Sequence, residues 1–167
     1  MTAFLYRAPA GVVGDVTRPD DTVVEPGVLS ATTPATAFGV AVKCVKSGTA
    51  TSVFVPMGTG DTAAAFYGIL TRVAPSISGS LAQGFDDGVP NVAAVQGVAV
   101  KGYVCVKCAS GTPTRGGAVY LRVTAATGKA VGDLEAEASG TASVALPGVT
   151  WAVDGADEGG LAEIRIG

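Results

Sequence analysis

The sequence has 167 residues, a net charge of −3, 24 glycines, nine prolines, only 15% charged residues and no histidine. This length suits one domain with a sizeable core, and sparse charge with frequent turn-formers is typical of β-rich proteins whose surface a partner partly covers. The acidic balance disfavours nucleic-acid binding, and the lack of histidine removes the commonest general base and metal ligand. No run approaches the roughly eighteen apolar residues of a membrane helix. We therefore expect no enzyme activity, no cofactor, no metal, no nucleic-acid partner and no membrane partner.

The N-terminal stretch, residues 1–36, is rich in turn-formers and has little periodic pattern. Its four prolines fix the backbone angle φ and remove hydrogen-bond donors, which excludes long strands. We predict an extended N-terminal arm with brief strands near 12–16 and 22–24. An arm with this many apolar residues either packs on its own domain or is contributed to a neighbouring subunit.

From residue 37 onward, short β-branched segments alternate with turns. In chain order the predicted elements are a hairpin of strands 38–46 and 51–57, a helical turn at 60–66 capped by Asp61 or Thr62, a strand at 67–73, a polar loop at 78–91, and further strands at 97–108, 118–125, 129–138, 142–146, 149–153 and 161–166. About nine or ten short antiparallel strands with turns every 8 to 12 residues predict an all-β jelly roll, sandwich or small β-barrel. We assign it to a single domain, residues 37–167. The pentapeptide GVAVK occurs at 39–43 and again at 97–101, either through duplication or by coincidence.

The Cys-x-x-Cys at 105–108 raises the question of thiol chemistry. Because it lies in a predicted strand, residues three apart point to opposite faces. Cys108 joins the valine side, and Cys105 joins the side with the lysines, so we expect one buried and one exposed structural thiol. No helix follows to lower a thiol pKa, and three cysteines without histidine make a poor zinc site. The odd cysteine count and the lack of a signal-peptide pattern fit synthesis in the cytoplasm.

Acidic residues cluster in three predicted loops, at Asp20–Asp21, at Asp86–Asp87 and at Asp154, Asp157 and Glu158. Paired acids in loops suit calcium binding or glycoside hydrolysis, but Asp-Gly sequences are also ordinary turn chemistry, which we favour. Trp151, the one tryptophan, fits a buried core position better than an interface or a sugar-binding platform.

Charge is unevenly distributed along the chain. Residues 1–132 carry ten basic and seven acidic side chains, whereas residues 133–167 carry seven acidic side chains and one basic side chain. This asymmetry favours complementary contacts between subunits, or else it marks an acidic edge exposed to solvent.

Several segments resemble the capsid cement (decoration) proteins of tailed bacteriophages. They are AAFYGIL (64–70), KGYVCVKC (101–108), GTPTRGGAVYLRVTAATGKAVGDLEA (111–136) and LPGVTWAVDGADEGGLAEIRI (146–166), preceded by APAGVVGDVTRP (8–19). The matching motifs are turn and strand patterns, and they carry no named functional residues.

The resemblance implies a non-enzymatic structural virion protein with a small β-barrel or jelly-roll fold. Such a protein binds the outer surface of the icosahedral shell, bridges subunits of the major capsid protein and stabilises the capsid against the pressure of the packaged DNA. It implies self-association, with a homodimer favoured over a homotrimer, and a place on the capsid exterior after synthesis in the host cytoplasm.

We predict that apolar residues of the arm contact a partner. The alternative is that they pack on the parent barrel. The candidates are Phe4, Leu5, Tyr6, Val12 and Val13. The alternative function is a carbohydrate-binding or adhesin-type β-sandwich module. It would use Trp151, Tyr103 or Tyr120 as stacking platforms beside Asp86–Asp87, but only 6% of residues are aromatic.

Overall fold

The computed structural model describes residues 11–47, 51–72 and 89–167. Within these ranges the chain forms nine β-strands and three short 3-10 turns. The strands are β1 (Val23–Leu29), β2 (Ala41–Ser47), β3 (Thr51–Pro56), β4 (Gly68–Thr71), β5 (Gln96–Ser110), β6 (Ala118–Arg122), β7 (Leu134–Glu135), β8 (Ser143–Trp151) and β9 (Leu161–Ile166). The 3-10 turns are Pro19–Asp21, Ala63–Ala65 and Gly140–Ala142.

Strand β5 is the centre of the fold because it belongs to two closed circuits of strands. In the first, β1, β3, β2, β4 and β5 pair in that order, and β5 pairs back with β1. In the second, β5, β7, β6, β8 and β9 pair in that order, and β9 pairs back with β5. We call these circuits the first barrel and the second barrel. Closing a sheet on itself pairs the strand edges that would otherwise be open to aggregation.

The partners of β5 change at Gly102. Residues before this position pair with β1 and β4, and residues from Gly102 to Lys107 pair with β9. Gly102 has a φ of 109°, which side-chain-bearing residues rarely adopt, and a Cβ placed there would overlap the Cα of Thr22. Glycine is therefore required where one strand passes from the first barrel to the second.

Two apolar clusters form the core. The first lies inside the first barrel and contains Leu29, Ala35, Phe38, Val42, Phe54, Leu70 and Val98. The second fills the second barrel with residues such as Val106, Leu121, Trp151 and Ile164. It continues onto the outer side of the first barrel, where it includes Ala41, Met57, Ile69 and Ala99. The two barrels are thus joined by packing as well as by the shared strand.

The two copies of GVAVK flank β4 at equivalent positions. Ala41 in the first copy and Ala99 in the second copy both pair with Ile69. All three side chains are buried, with exposures of 2%, 0% and 0%. The recurrence therefore meets the same packing requirement twice, namely a small residue on each side of Ile69 where the second barrel approaches.

The predicted fold class, an all-β small barrel, is confirmed. Some details differ from the expectation of short antiparallel strands. The pairings β1–β3 and β5–β7 are parallel, and β5 has 15 residues. The segments predicted at 142–146 and 149–153 belong to one strand, β8, which runs through Pro147. The pairing of β8 with β6 shifts its register there, and a bulge of this kind accommodates a proline without a ladder donor.

The N-terminal region also differs in detail. Strand β1 has seven residues and runs through Pro26, which makes it longer than the brief strand predicted near 22–24. Val16 forms an isolated bridge with Val104, inside the stretch predicted as a brief strand at 12–16. The division of the chain into an arm, residues 1–36, and a domain, residues 37–167, stays a prediction. No described helical segment is long and apolar enough to cross a membrane.

Candidate functional site

The described part of the N-terminal arm is attached to the core by backbone hydrogen bonds. The Gly14 amide donates to the Cys105 carbonyl at 2.8 Å, and the Cys105 amide donates to the Asp15 carbonyl at 2.9 Å. On its other side, the Gly14 carbonyl accepts from the Arg72 amide at 2.8 Å. The arm therefore lies along β5 and is held by these backbone hydrogen bonds and by the isolated bridge between Val16 and Val104.

Side chains fasten the same segment to β9. Arg18 Nη2 donates to Glu163 Oε2 at 2.8 Å, and Thr17 Oγ1 donates to Glu163 Oε1 at 2.5 Å. The Arg18 guanidinium also stacks over the ring of Tyr103, 3.9 Å from its centroid. A planar guanidinium suits both contacts at once, because it pairs with a carboxylate in its plane and stacks through its face. Residues 1–10 are consequently joined to a segment with a fixed position on the barrel.

The five predicted contact residues fall into two groups. Phe4, Leu5 and Tyr6 lie outside the described residues. Val12 and Val13 are half-buried. Val13 packs directly against Gly39, since a Cβ added at Gly39 would lie 2.5 Å from Val13 Cγ1. At least part of these two side chains is thus used against the parent barrel. Their role in partner contact stays a prediction.

The prediction that Cys105 is exposed is wrong. Cys105 and Cys108 do lie on opposite faces of β5, but Cys105 is 0% exposed. It pairs across the sheet with Glu163, and Thr17 and Arg18 lie on that carboxylate. The arm therefore covers a face that the lysine pattern marked as open.

The other two cysteines also have structural positions. Cys108 belongs to the second apolar cluster, as predicted, and burial raises the pKa of its thiol, which donates to the Ser110 carbonyl at 3.3 Å. Cys44 is exposed on β2. All three cysteines are described, and no disulfide joins them. In the described ranges no group of three or more Cys, Asp or Glu is placed to hold a metal ion.

The acidic clusters in the described ranges act as turn residues. Asp154 Oδ1 accepts from the Arg115 amide at 2.9 Å. Asp157 Oδ1 accepts from the amides of Gly159 and Leu161 at 3.0 and 2.8 Å, which closes the turn between β8 and β9. Asp20–Asp21 belong to a 3-10 turn, and Asp86–Asp87 lie outside the described residues.

Trp151 is a core residue and offers no platform for a sugar. It is 1% exposed, and its Nε1 has no hydrogen-bond partner among the described residues. Tyr103 is half-buried beneath Arg18, and Tyr120 is half-buried on β6. The aromatic residues named for carbohydrate stacking therefore form no exposed platform.

Part of the acidic C-terminal charge is neutralised inside the chain. Glu135 is 0% exposed and forms a two-point ion pair with Arg122, at 2.8 and 3.0 Å. Lys129 Nζ lies 3.5 Å from the same carboxylate, and Ser139 Oγ donates to it at 3.2 Å. Glu163 is similarly paired with Arg18. The charge asymmetry of the sequence thus serves, in part, contacts between distant segments of one chain.

Among the described residues, the first barrel also has apolar side chains on the outer side of β1, β2 and β3. In register, Val28 of β1 pairs with Val53 of β3, and Val53 pairs with Val45 of β2. The next row, Leu29 and Phe54, points into the barrel. The row of valines therefore points outward. We define the valine face as the six apolar residues on the outward side of these three strands, namely Val24, Pro26, Val28, Val45, Val53 and Val55; Lys43, which pairs with Val55, lies on the same side.

The sequence also indicates this outer apolar side, through an uninterrupted run of apolar residues and not through alternation. Val53, Phe54 and Val55 form an apolar run without alternation, a pattern typical of strands covered on both sides. Phe54 is covered by the barrel interior, but Val45 and Val24 on the outer side are each 41% exposed.

Comparison with known proteins shows which family this chain matches and which solved structure shares its fold. The chain matches the model of a family described as "XM1 gp53 minor capsid protein" over residues 1–166. A solved chain from "The capsid of Myoviridae Phage XM1" superposes with a TM-score of 0.60 and 16% sequence identity, covering 98% of this chain and 94% of that one. At this identity the superposition shows a shared fold. No curated protein matches the chain.

The family match covers nearly the whole chain and concerns a bacteriophage capsid. It confirms the resemblance to capsid-associated proteins of tailed phages, and it supports a structural role in the virion that involves contact with other capsid components. Neither the match nor the geometry of the described residues provides catalytic evidence. This chain belongs to the XM1 gp53 minor capsid protein family.

Proposed function

We propose that this chain is a capsid cement subunit. It binds the outer surface of the icosahedral shell, bridges neighbouring subunits of the major capsid protein and stabilises the shell against internal DNA pressure. The observation that carries the proposal is the match to a minor capsid protein family over residues 1–166. The subunit acts as a homodimer.

The described architecture suits this task. The closed circuits pair the edges of the described strands, and the two barrels share both a strand and an apolar core. Close-packed interiors of this kind have low compressibility, which suits a subunit under load. A protein that binds the assembled shell more tightly than its dissociated subunits stabilises the assembly by that difference in binding free energy, and the effect is repeated at every occupied site.

The arm supplies the proposed shell contact. Its described part is fixed to the barrel by the Gly14 and Arg18 interactions, and the apolar residues Phe4, Leu5 and Tyr6 precede this part in the sequence. An immobile base lowers the conformational entropy lost on binding. Aromatic and aliphatic anchors of this kind contribute most of the affinity of typical interfaces.

The test is co-sedimentation of the purified chain with shells that lack it. We expect saturation at a fixed ratio to the major capsid protein and a higher temperature of shell disruption. The triple variant Phe4→Ala/Leu5→Ala/Tyr6→Ala should bind at least tenfold more weakly. Val89→Ala, which truncates a valine outside the arm that is 57% exposed, should bind like the natural chain. A natural chain that does not sediment with shells would refute the proposal, and an unimpaired triple variant would refute the role of the arm.

A further inference from the structure

Residues 11–18 lie where β5 passes from the first barrel to the second, and we call this segment the strap. Its Gly14 amide donates to the Cys105 carbonyl, and its Gly14 carbonyl accepts from the Arg72 amide, each at 2.8 Å. Arg72 directly follows β4 of the first barrel, whereas Cys105 lies in the part of β5 that pairs with β9 of the second barrel. The strap therefore connects the two barrels.

The strap contributes little to the apolar core. Gly14 is its one buried residue, and glycine has no side chain to bury. Neither apolar cluster of the described chain contains a residue of the strap, and both circuits of strands close without it. Segments with few buried apolar contacts open at a lower free energy than the whole fold. Departure of the strap would therefore leave both cores in place.

Polar contacts hold the C-terminal end of the strap, and we call Thr17, Arg18, Tyr103 and Glu163 the latch. The Arg18 guanidinium donates to both oxygens of Glu163, at 2.8 and 3.3 Å, and Thr17 Oγ1 donates to one of them at 2.5 Å. The Glu163 side chain is only 11% exposed, so in the closed state its charge depends on these donors. Loss of the donors favours an open strap, because water then reaches the carboxylate.

The middle of the strap is held by close backbone packing. Gly14 has a φ of 88°, and a Cβ added there would lie 2.6 Å from the Cβ of Phe38. Both observations exclude a larger residue at this position while the strap is closed. A side chain at position 14 therefore offers a second, independent way to weaken the closed state.

We infer that the strap opens as a unit in a minor state while both barrels stay folded. It turns about the 3-10 turn Pro19–Asp21, whose three residues are exposed and which joins the strap to β1. Opening uncovers Cys105, and eight extended residues lengthen the reach of the arm by roughly 25 Å. The inference goes beyond the proposed function and does not require shell binding, so the two ideas fail separately.

The test is labelling of the natural chain with iodoacetamide, with each cysteine resolved by mass spectrometry, at urea concentrations below the unfolding transition. Cys44 is exposed and calibrates the reagent, while the fluorescence of Trp151 reports global unfolding. When closing is faster than labelling, the rate at Cys105 reports the population of the open strap. We expect this rate to exceed what global unfolding allows at least tenfold. It should also depend weakly on urea, because opening exposes little surface.

The latch variant Thr17→Val/Arg18→Met should raise the labelling rate of Cys105 at least tenfold. The matched control Thr112→Val/Arg115→Met makes the same chemical changes at exposed positions between β5 and β6, and it should leave that rate within twofold of the natural one. The rate at Cys105 in the latch variant should still depend weakly on urea, which separates strap opening from a general loss of stability.

Gly14→Ala should also raise the labelling rate of Cys105, whereas Gly148→Ala, at a φ of 69° with open space around it, should not. Labelling of Cys105 in the natural chain with the urea dependence of the Trp151 transition would overturn the inference, since the strap would then open only with the barrels. This measurement needs no variant. Unchanged labelling rates in both the latch variant and Gly14→Ala would overturn it as well.

Discussion

Breaking the buried ion pair between Arg122 and Glu135 should destabilise the second barrel more than any surface change. The two side chains are 2% and 0% exposed, and the guanidinium donates to both carboxylate oxygens. Removing one member of such a pair leaves an uncompensated buried charge, which costs about 3–5 kcal/mol. The contacts left behind determine where each variant falls in that range.

Arg122→Met leaves Glu135 with Lys129 Nζ at 3.5 Å and the Ser139 hydroxyl at 3.2 Å. We therefore expect the low end, a loss of about 3 kcal/mol. Glu135→Leu leaves the buried guanidinium with two neutral acceptors, the Thr124 carbonyl and Ser139 Oγ. This change should cost about 4–5 kcal/mol.

The double variant Arg122→Met/Glu135→Leu removes both charges and retains apolar volume. Replacing a buried pair by hydrophobic residues is often neutral, so the double variant should lie within about 1–2 kcal/mol of the natural chain. The single changes would then be strongly non-additive, with a coupling of several kcal/mol.

Urea unfolding monitored by the fluorescence of Trp151 is the appropriate assay, because this buried residue is the one tryptophan of the chain. With a slope of about 2 kcal/mol per M, a loss of 4 kcal/mol lowers the midpoint by about 2 M. All variants must be compared at one protein concentration, since self-association raises apparent stability. Single variants within about 1 kcal/mol of the natural chain, or a double variant that loses the sum of both changes, would refute the reasoning.

Two further predictions concern the backbone and pH. Gly102→Ala should destabilise the fold by more than about 2 kcal/mol, because the added Cβ would overlap Thr22. The control Gly148→Ala, at a φ of 69° with open space around it, should cost about 1 kcal/mol. Equal urea midpoints for the two variants would contradict this account. Burial raises the pKa of Asp61 and of Glu135, but hydrogen bonds and charge from Lys43 and Arg122 outweigh it, so both pKa values are lowered. Stability from these carboxylates is thus complete above the ordinary carboxyl pKa and is lost as pH falls through the lowered values. The urea concentration at the unfolding midpoint should decrease as the pH is lowered from about 5 to about 3, and the decrease should be smaller in Lys43→Met. Equal pH dependence in both proteins would show that the Lys43–Asp61 pair makes no contribution.

Local patterns were sufficient for most of the strands. The alternation in 161–166 predicted the inward residues Ala162, Ile164 and Ile166, which are at most 5% exposed. The hairpin of β2 and β3 and the helical turn near Ala63–Ala65 were likewise predicted from turn residues and β-branched runs. These features depend on neighbours in the chain, and such neighbours are visible in the sequence.

Features that depend on distant residues were predicted poorly. Cys105 has the sequence surroundings of an exposed residue, but Thr17 and Arg18 cover its face from 87 or more positions away. The Arg122–Glu135 pair was likewise missed, because both residues lie in strands where charge ordinarily indicates a solvent-facing side. In each case the burial of one side chain was decided by a segment that packs over it.

Composition and local patterns were enough to predict the class of the protein: an all-β chain with little charge, without histidine, and with a family resemblance carried by its turns and strands. Three features emerge only from the folded chain: β5 serves two barrels, the arm covers Cys105, and the outer side of the first barrel is buried at Ile69 and Ala99 but exposed at Val24 and Val45. The physical reason is that alternation along a strand reports which residues share a side. Whether a side is covered depends on which other strand or segment packs against it.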